Sequence, residues 1–424
     1  MTASATHRTV EAVFRIESAK LIAGLTRIVR DVGLAEELAQ DALVAALEQW
    51  PESGIPDKPG AWLMATAKHH AINALQRRKL LERKHEQLGH DADTQGQMAA
   101  PDLDAAIDDD VGDDLLRLVF TACHPVLSTD SRVALTLRLL GGLTTEEIGR
   151  AFLIPEPTVA QRIVRAKRTL AEERVPFEVP RAPELADRLA SVLEVIYLVF
   201  NEGYSATAGD DWQRPELCED ALRLGRILAA LVPNEPEVHG LVALMEIQAS
   251  RTRARIGPAG EPIPLFDQNR ARWDRMLIGR GLAALERAEA LGGAGGPYAL
   301  QGAINACHAR ARAPEETDWP RIVMLYEALY QRQPSPVVEL NHAVAVAMAF
   351  GPAAALELVD ELMAERSLEG YHHLPSVRGD LLAKVGRFDE ARAELERAAS
   401  LTRNARERAL LLARAAACAR DKGG

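Results

Sequence analysis

The sequence has little cysteine and no CxxC pair. Its four cysteines lie about a hundred residues apart along 424 residues: Cys123, Cys218, Cys307 and Cys418. Neither a disulfide framework nor a thiolate metal site has this spacing. We therefore expect free thiols in a reducing cytosol, and we predict no cofactor and no metal.

Long apolar runs are also absent. Charged side chains interrupt the first thirty residues, which therefore lack the apolar core of a signal peptide. These are Arg8, Glu11, Arg15, Glu17 and Lys20. No later stretch has about 18 uninterrupted apolar residues, the length that predicts a transmembrane helix. We predict a cytoplasmic protein with no membrane partner.

An excess of positive charge is missing as well. Lys and Arg number 50 against 61 Asp and Glu, a net charge of −11. A protein coated with phosphate-binding cations is excluded, so any nucleic-acid surface must be local. With 47% hydrophobic residues, the chain can bury a sizeable core and is expected to form two or three domains.

Charge occurs in blocks that predict domain boundaries. A segment rich in Lys and Arg, ending near residue 90, is followed by nine aspartates and no cation over 91–114, which is typical of a solvated linker. A proline-rich stretch at 175–183 opposes helix continuation. The predicted domains are 1–90, 113–176, 184–296 and 297–424, with an acidic linker at 91–112.

Residues 143–170 predict two helices joined by a tight turn. Thr144 and Glu147 form a capping-box pattern at the start of the first helix, which should run to about Phe152. Pro155 makes the turn, and Pro157 fits the first turn of the second helix because its missing N–H is not needed there.

The second helix has an apolar inner stripe and a polar, basic outer stripe. The inner stripe is Val159, Ile163, Ala166 and Leu170. The outer stripe is Thr158, Gln161, Arg162, Arg165 and Arg168. In a major groove, Arg pairs with guanine and Gln with adenine. The alternative is an ordinary amphipathic helix with a solvated basic face, but the capped helix and turn before it favour DNA binding.

Residues 34–50 predict a helix whose outer stripe is acidic with an apolar centre. That stripe is Glu37, Asp41, Val44 and Glu48. This composition suits contact with a protein better than contact with DNA.

The next predicted helix, 60–79, follows a loop rich in Pro and Gly. Its expected inner residues are Trp62, Leu63, Ala67, Ala71 and Ala74, and its outer ones are His69, Asn73, Gln76 and Arg77. Such an outer face suits capture of unpaired bases, and a plain solvated face is an equal alternative. Metal binding by His69 and His70 is disfavoured, because adjacent helical side chains point about 100° apart.

These segments together resemble the bacterial extracytoplasmic-function sigma factors. The similarity lies in GLAEELAQDALVAALEQW, AWLMATAKHHAINALQRRK, the acidic linker and EEIGRAFLIPEPTVAQRIVRAKRTL, and the subgroup with a long tetratricopeptide-like C-terminal extension is the most similar. The resemblance implies an all-α protein. It also implies a region 2 bundle at 10–84 that would bind RNA polymerase and melt the −10 element. It further implies a region 4 helix-turn-helix at 113–175 that would read the −35 element.

The resemblance also implies roles by position. Polymerase contacts fall on Glu37, Gln40 and Asp41, with Val44 and Glu48 on the same helix. For the −10 element, the resemblance places His69 and Asn73, with the loop 51–59, where the family captures a flipped base. We add Lys68, Gln76 and Arg77 of the same helix to this surface. For the −35 element, the resemblance places Arg162, Arg165 and Lys167 on the recognition helix, and we add Thr158, Gln161 and Arg168. The chain departs from the family at Lys68-His69-His70, where Arg-Asn-Arg is commoner, and at Ala160-Gln161, where Lys-Ser is commoner. These departures bear on which promoter sequence the chain recognises, and they leave the prediction of promoter binding unchanged.

The C-terminal part contains a weak repeat of 33 residues. It relates Leu329, Leu362 and Leu395, and also Leu325, Leu358 and Ala391, while Gly351 and Gly386 are 35 apart. The period predicts stacked helix pairs of the tetratricopeptide type, whose concave surface would take a regulatory protein or peptide. Plain stabilising hairpins are the alternative.

Two clusters have structural and chemical interpretations. A polar and aromatic set either lines a ligand site or caps helices and ties loops to the core, which is commoner. It comprises Asn201, Glu202, Tyr204, Asp267, Gln268, Asn269, Arg272 and Trp273. Cys123-His124 is better interpreted as a packed helix end than as a nucleophile with its base.

We therefore predict a sigma factor with no catalytic residues, whose partners are core RNA polymerase and promoter DNA. A helix-turn-helix regulator with a tetratricopeptide sensor is the alternative, and would bind duplex DNA as a dimer without polymerase. An enzyme with a pocket near Glu202 or Asp267 is a further alternative.

Overall fold

A computed structural model describes residues 3–88, 111–152, 154–206, 208–258 and 260–421. The chain forms two compact units, residues 1–195 and 196–424. The all-α prediction is confirmed: apart from the two-residue strands β1 (Ala208–Gly209) and β2 (Arg403–Asn404), which pair in parallel, the regular structure is helical. Most of the predicted acidic linker, from residue 91 to 110, lies outside the described residues.

The described residues of the first unit form seven α-helices and the start of an eighth. They are α1 (Ala3–Val29), α2 (Val32–Ser53), α3 (Pro59–Leu88), α4 (Val111–Ala122), α5 (Thr129–Thr136), α6 (Thr145–Phe152), α7 (Glu156–Glu172) and α8 (Ala182–Tyr204). Helices α1, α2 and α3 pack on one another, and α1 also packs on α4. Asp31 starts α2 by accepting a hydrogen bond from the Leu34 amide at 3.0 Å, so the chain turns sharply between α1 and α2.

Helix α8 begins as part of the first unit. Ser191 Oγ donates to the Cys123 carbonyl at 2.7 Å, and the Arg188 guanidinium donates to the Phe120 carbonyl at 2.9 Å. These bonds satisfy carbonyl groups at the C-terminal end of α4, which have no partner within their own helix. Cys123 itself is buried, and burial raises the pKa of its thiol to about 11, so it stays a protonated packing residue.

In the described residues of the second unit, ten α-helices follow α8. They are α9 (Pro215–Leu231), α10 (Pro236–Ala249), α11 (Arg275–Ala290), α12 (Pro297–Arg310), α13 (Trp319–Arg332), α14 (Pro336–Phe350), α15 (Pro352–Leu362), α16 (His373–Lys384), α17 (Phe388–Leu401) and α18 (Ala405–Asp421). From α12 onward each helix packs on the next. Proline often occupies the first helical position, where its missing N–H costs nothing.

The 33-residue repeat coincides with every second helix of this series. Leu329, Leu362 and Leu395 lie on α13, α15 and α17, and all three are buried. Gly351 and Gly386 precede α15 and α17 with φ of 101° and 81°, a conformation that favours glycine. The period therefore follows from packed helical hairpins, and the assignment to the tetratricopeptide type stays a prediction.

None of the helices in the described ranges is both long enough and apolar enough to cross a lipid bilayer.

Candidate nucleic-acid and polymerase interfaces

The predicted helix-turn-helix is confirmed in α6 and α7. The Thr144 amide donates to Glu147 Oε2 at 2.8 Å and the Glu147 amide donates to Thr144 Oγ1 at 3.1 Å, which completes the capping box. In the turn, the Ile154 amide donates to the Gly149 carbonyl at 2.9 Å. A Cβ at Gly149 would lie 2.8 Å from the Ile154 carbonyl oxygen, so the turn requires glycine there. Sequence reasoning did not single out this glycine.

Helix α7 buries its predicted inner stripe. Val159, Ile163, Ala166 and Leu170 are all at most 5% exposed. On the predicted outer stripe, Gln161, Arg165 and Arg168 are exposed, whereas Thr158 and Arg162 are half-buried.

Two of the predicted −35 arginines form ion pairs within the chain. Arg162 pairs with Asp130 of α5 at 2.8 Å, and Arg168 pairs with Glu172 one helical turn away at 2.6 Å. Arg165 forms no ion pair within the described part of the chain. It is therefore the guanidinium on this face that can approach a base without first releasing a carboxylate.

Lys167 faces a different neighbour, the buried carboxylate of Glu36 on α2. Glu36 pairs with Lys167 and also accepts a hydrogen bond from Arg138 Nε at 2.5 Å. Burial opposes ionisation of Glu36, but the two cations and their hydrogen bonds outweigh it and lower its pKa. Three segments far apart in sequence thus meet at one charged group, which ties α2 to the helix-turn-helix.

The acidic stripe of α2 lies at the surface as predicted. Glu37, Asp41, Val44 and Glu48 are all exposed. Val44 is 52% exposed, an unusual position for a large aliphatic side chain, and is flanked by carboxylates. Gln40 is half-buried and donates from Nε2 to Glu36 Oε1 at 2.8 Å, so its amide supports the buried carboxylate.

Helix α3 carries the predicted −10 residues on a more mixed face. His69, Gln76 and Arg77 are exposed, whereas Lys68 and Asn73 are half-buried. Of the expected inner residues, Leu63, Ala67 and Ala71 are buried, while Trp62 and Ala74 are only half-buried. The Trp62 ring lies edge-on to the buried Trp50 ring at 5.3 Å between centroids, which fixes the start of α3 against the end of α2.

The loop before α3 is shorter than the predicted 51–59. Helix α2 continues to Ser53 through Pro51, whose fixed φ is compatible with a last helical turn, and Gly54 ends the helix with φ of 84°. The irregular segment is therefore residues 54–58.

The polar and aromatic cluster of the second unit has mostly structural contacts. Glu202 pairs with Arg214, Gln268 donates to the Ile263 carbonyl at 3.1 Å, and Asn269 accepts from the Ala271 amide at 3.0 Å. Asp267 and Arg272 are exposed, and Asn201 is half-buried. These contacts favour the interpretation that the set ties loops to the core.

Sequence reasoning missed three buried arginines in the same region. The Arg255 guanidinium stacks over the Tyr204 ring at 3.5 Å, and Arg270 lies 4.9 Å from the Trp273 ring centroid. Arg251 lies between these two rings, 5.9 Å and 5.8 Å away. Cations alternate with aromatic faces, which offsets part of the cost of burying charge. The spacing of three arginines along the chain gave no signal of this arrangement.

Known families match three segments of the chain. Residues 14–80 match Sigma-70 region 2 and residues 117–170 match Sigma-70, region 4. Residues 188–289 match a family of unknown function, DUF6596.

Two relatives illustrate the extent of the similarity. An uncharacterized protein of Rhizobium meliloti (strain 1021) is 44% identical over 388 residues, covering 91% of this chain and 90% of the relative. A protein of Mycobacterium tuberculosis (strain CDC 1551 / Oshkosh) described as "Probable ECF RNA polymerase sigma factor SigI" is 26% identical over 178 residues. That alignment covers 42% of this chain and 59% of the relative.

The fold of the first unit and these matches define an RNA polymerase sigma factor. The chain belongs to the extracytoplasmic-function type, and part of its C-terminal extension belongs to the DUF6596 family.

Proposed function

We propose that this chain binds core RNA polymerase, recognises the −35 and −10 elements of a promoter and directs initiation there. The observation that carries this proposal is a pair of exposed stripes of opposite character in one compact unit. The stripe of α2 is acidic around Val44, and that of α7 carries Gln161 and Arg165. One stripe suits a basic protein surface and the other suits a major groove.

The −35 element would be read by the exposed side of α7. The helix is entered through a tight turn and its inner stripe is anchored in the core, so its outer side chains project from a rigid support. Arg165 and Gln161 would reach base edges, while Thr158, Arg162 and Arg168 would contact phosphates or sugars.

The −10 element would be bound as unpaired DNA by α3 and the segment 54–58. His69, Gln76 and Arg77 offer an imidazole, an amide and a guanidinium at the surface, which suit stacking and contacts with a single strand. Lys68 and Asn73 would complete this surface from half-buried positions.

Core polymerase would be held by α2 through Glu37, Asp41, Val44 and Glu48, with Gln40 in support. Carboxylates on the rim steer association with a basic surface, and the apolar Val44 provides the contact at the centre that excludes water. Sigma factors act together with core polymerase, which supports this assignment.

Lys167 has to leave Glu36 before it can contact DNA. We infer that the arrangement of the first unit is a resting one, in which the helix-turn-helix is tied to α2 by a buried carboxylate. Binding of polymerase to the outer face of α2 and binding of DNA to α7 would favour separation of the two elements. The cost of breaking the contact would keep the free chain from binding promoters strongly.

The C-terminal extension would regulate the factor by binding a protein or peptide, and the chain would act in the cytoplasm with no covalent chemistry of its own. A chain ending after Tyr204 keeps the hydrogen bonds from α8 to α4. Its transcription activity, compared with that of the full chain, distinguishes an inhibitory extension from a required one. Unchanged activity would contradict a regulatory role.

The direct test is run-off transcription with purified core polymerase on a pool of random-sequence duplex templates. Sequencing transcript 5′ ends should reveal a shared upstream motif that depends on this chain. Arg165→Ala should weaken selection at the −35 position, and Glu37→Lys with Asp41→Lys should reduce all transcripts alike. Transcripts without a common motif, or equal in the absence of the chain, would refute the proposal.

A further inference from the structure

The second unit contains a cluster of two histidines and a glutamate that the sigma-factor function does not use. His372 and His373 stand at the start of α16, and Glu407 lies in the first turn of α18. One ligand-type atom from each of the three side chains lies within 4.8 Å of the other two. From this geometry we propose that His372, His373 and Glu407 bind a divalent transition-metal ion of the Zn²⁺ class.

The two histidines can face one point although they are adjacent in sequence. Their ring centroids are 4.0 Å apart with 41° between the ring planes. His372 occupies the N-cap position and His373 is the first residue of the helix, so the pair lies at a helix end. This distinguishes them from His69 and His70, which lie within α3 with centroids 6.3 Å apart. Among the described residues, that pair forms no cluster of three metal-ligating side chains.

The facing atoms of His372 and Glu407 are close enough to be ligands of one ion. His372 Nε2 lies 3.0 Å from Glu407 Oε2, an ion-pair distance. In a tetrahedral site with bonds of about 2.0–2.1 Å, neighbouring ligand atoms are about 3.3 Å apart. The spacing therefore fits two ligands of one ion, and rotation of the His373 side chain would bring the third ligand into range.

The carboxylate is also held in place. Thr402 Oγ1 donates to Glu407 Oε2 at 2.6 Å, and the Glu407 amide donates to Asn404 Oδ1 at 3.2 Å. Supporting hydrogen bonds of this kind orient metal-ligating carboxylates and strengthen binding. The Glu407 and His372 side chains are 13% and 22% exposed, whereas His373 is exposed, which gives an ion an entry path.

The donor set favours Zn²⁺ or a similar borderline ion over Ca²⁺ or Mg²⁺. Two imidazole nitrogens and one carboxylate form a set that zinc takes with a fourth position open to water or to another ligand. Such an ion would fasten α18 to the start of α16. It would add a link between the last helical hairpin and the one before it.

The test is metal binding by the full-length, tag-free chain after removal of bound metal with a chelator. Titration with Zn²⁺ should show one tight site, and Co²⁺ should give the visible absorption of a tetrahedral ion without a thiolate charge-transfer band. His372→Ala and Glu407→Gln should each weaken Zn²⁺ binding by at least about tenfold, because even supporting residues contribute that much. Bound Zn²⁺ should also raise the melting temperature of the wild-type chain.

The matched control is His342→Ala. His342 is 23% exposed and lies 3.9 Å from Glu327 Oε1, but it belongs to no three-residue cluster of metal ligands in the described residues. This variant should bind Zn²⁺ like the wild type. Circular dichroism checks the folding of each variant, and the cobalt spectrum and melting shift of the wild type decide the matter if a variant does not fold. The proposal is overturned if the wild-type chain shows no saturable Zn²⁺ site, or if His372→Ala binds Zn²⁺ with the same affinity as the wild type.

Discussion

The two units of this chain place their charged residues differently. In the first unit, α2 and α7 bury aliphatic stripes and carry carboxylates or guanidinium groups at the surface. In the second unit, Arg251, Arg255 and Arg270 are buried among aromatic rings. Charge at a surface is available to a partner, whereas buried charge is committed to holding loops in place. We infer that the exposed stripes of the first unit serve recognition and that the three buried arginines of the second unit serve support. The buried Glu36 of the first unit is, like those arginines, a structural charge.

The largest effect should come from the core beneath the recognition face. Ile163 is 5% exposed and its neighbour Val164 is 63% exposed on the same helix. Ile163→Ala should lower the free energy of unfolding by about 2–5 kcal/mol, whereas Val164→Ala should change it by less than about 0.5 kcal/mol. Chemical denaturation of both variants measures the contrast. Equal destabilisation would show that α7 does not use the stripe seen here.

The next effect concerns base recognition by α7. Arg165→Ala should cost about 1–3 kcal/mol of discrimination for the −35 element if its guanidinium pairs with a base edge. Arg165→Lys keeps the charge but loses the bidentate geometry, so it should retain the salt dependence and lose part of the discrimination. Titration of specific and scrambled duplexes at fixed salt measures both quantities. Equal losses on the two duplexes would limit Arg165 to a phosphate contact.

The contact between α2 and α7 at Glu36 can be broken separately. Glu36→Gln removes the charge that holds Lys167 and Arg138, so the free chain should bind a −35 duplex more tightly, by roughly 5- to 30-fold if about 1–2 kcal/mol is released. Glu37→Gln changes the adjacent, exposed carboxylate and serves as the control, with little expected change. Weaker binding by Glu36→Gln in a folded variant would contradict the resting arrangement.

A pH-dependent effect tests the buried charge of the second unit. Burial, with the charges of Arg251 and Arg270, lowers the pKa of His308 to about 3. Below pH 6.5 the His308 imidazole is protonated in the unfolded chain but stays neutral in the folded chain. Stability is therefore lost as the pH falls from 6.5 towards 3, by about 1.4 kcal/mol per pH unit.

His308→Phe should remove this share of the pH dependence while keeping ring contact with Trp319, which lies 5.1 Å away between centroids. Urea unfolding at pH 6.5 and pH 4.5 provides the comparison, with His69→Phe as the exposed control. The same loss of stability in His308→Phe and wild type would mean that His308 is not kept neutral by its surroundings.

Much of the first unit could be predicted because its signals are local. The i, i+4, i+7 spacing of Val159, Ile163 and Ala166 fixes which side of α7 is buried, and Thr144 with Glu147 marks where α6 begins. The exposed stripe of α2 follows from the same periodicity. Side chains three and four positions apart must share a helix face whatever surrounds them.

What could not be predicted depends on partners distant in sequence. Glu36 is one position from the predicted stripe, and Arg138 lies 102 residues further along the chain. The cluster of His372, His373 and Glu407 likewise requires α16 and α18 to be brought together. The spacing of residues within one helix does not predict such long-range contacts, because these depend on how the helices pack.

The proposed division of labour between α2 and α7 can be measured as association with core RNA polymerase. We expect the full-length chain to co-elute with core enzyme in gel filtration at low ionic strength, and Glu37→Lys with Asp41→Lys to reduce this association. We also expect Arg165→Ala to leave it unchanged. If the folded wild-type chain forms no complex with core enzyme, the proposed function is wrong, whatever the affinity of the chain for duplex DNA.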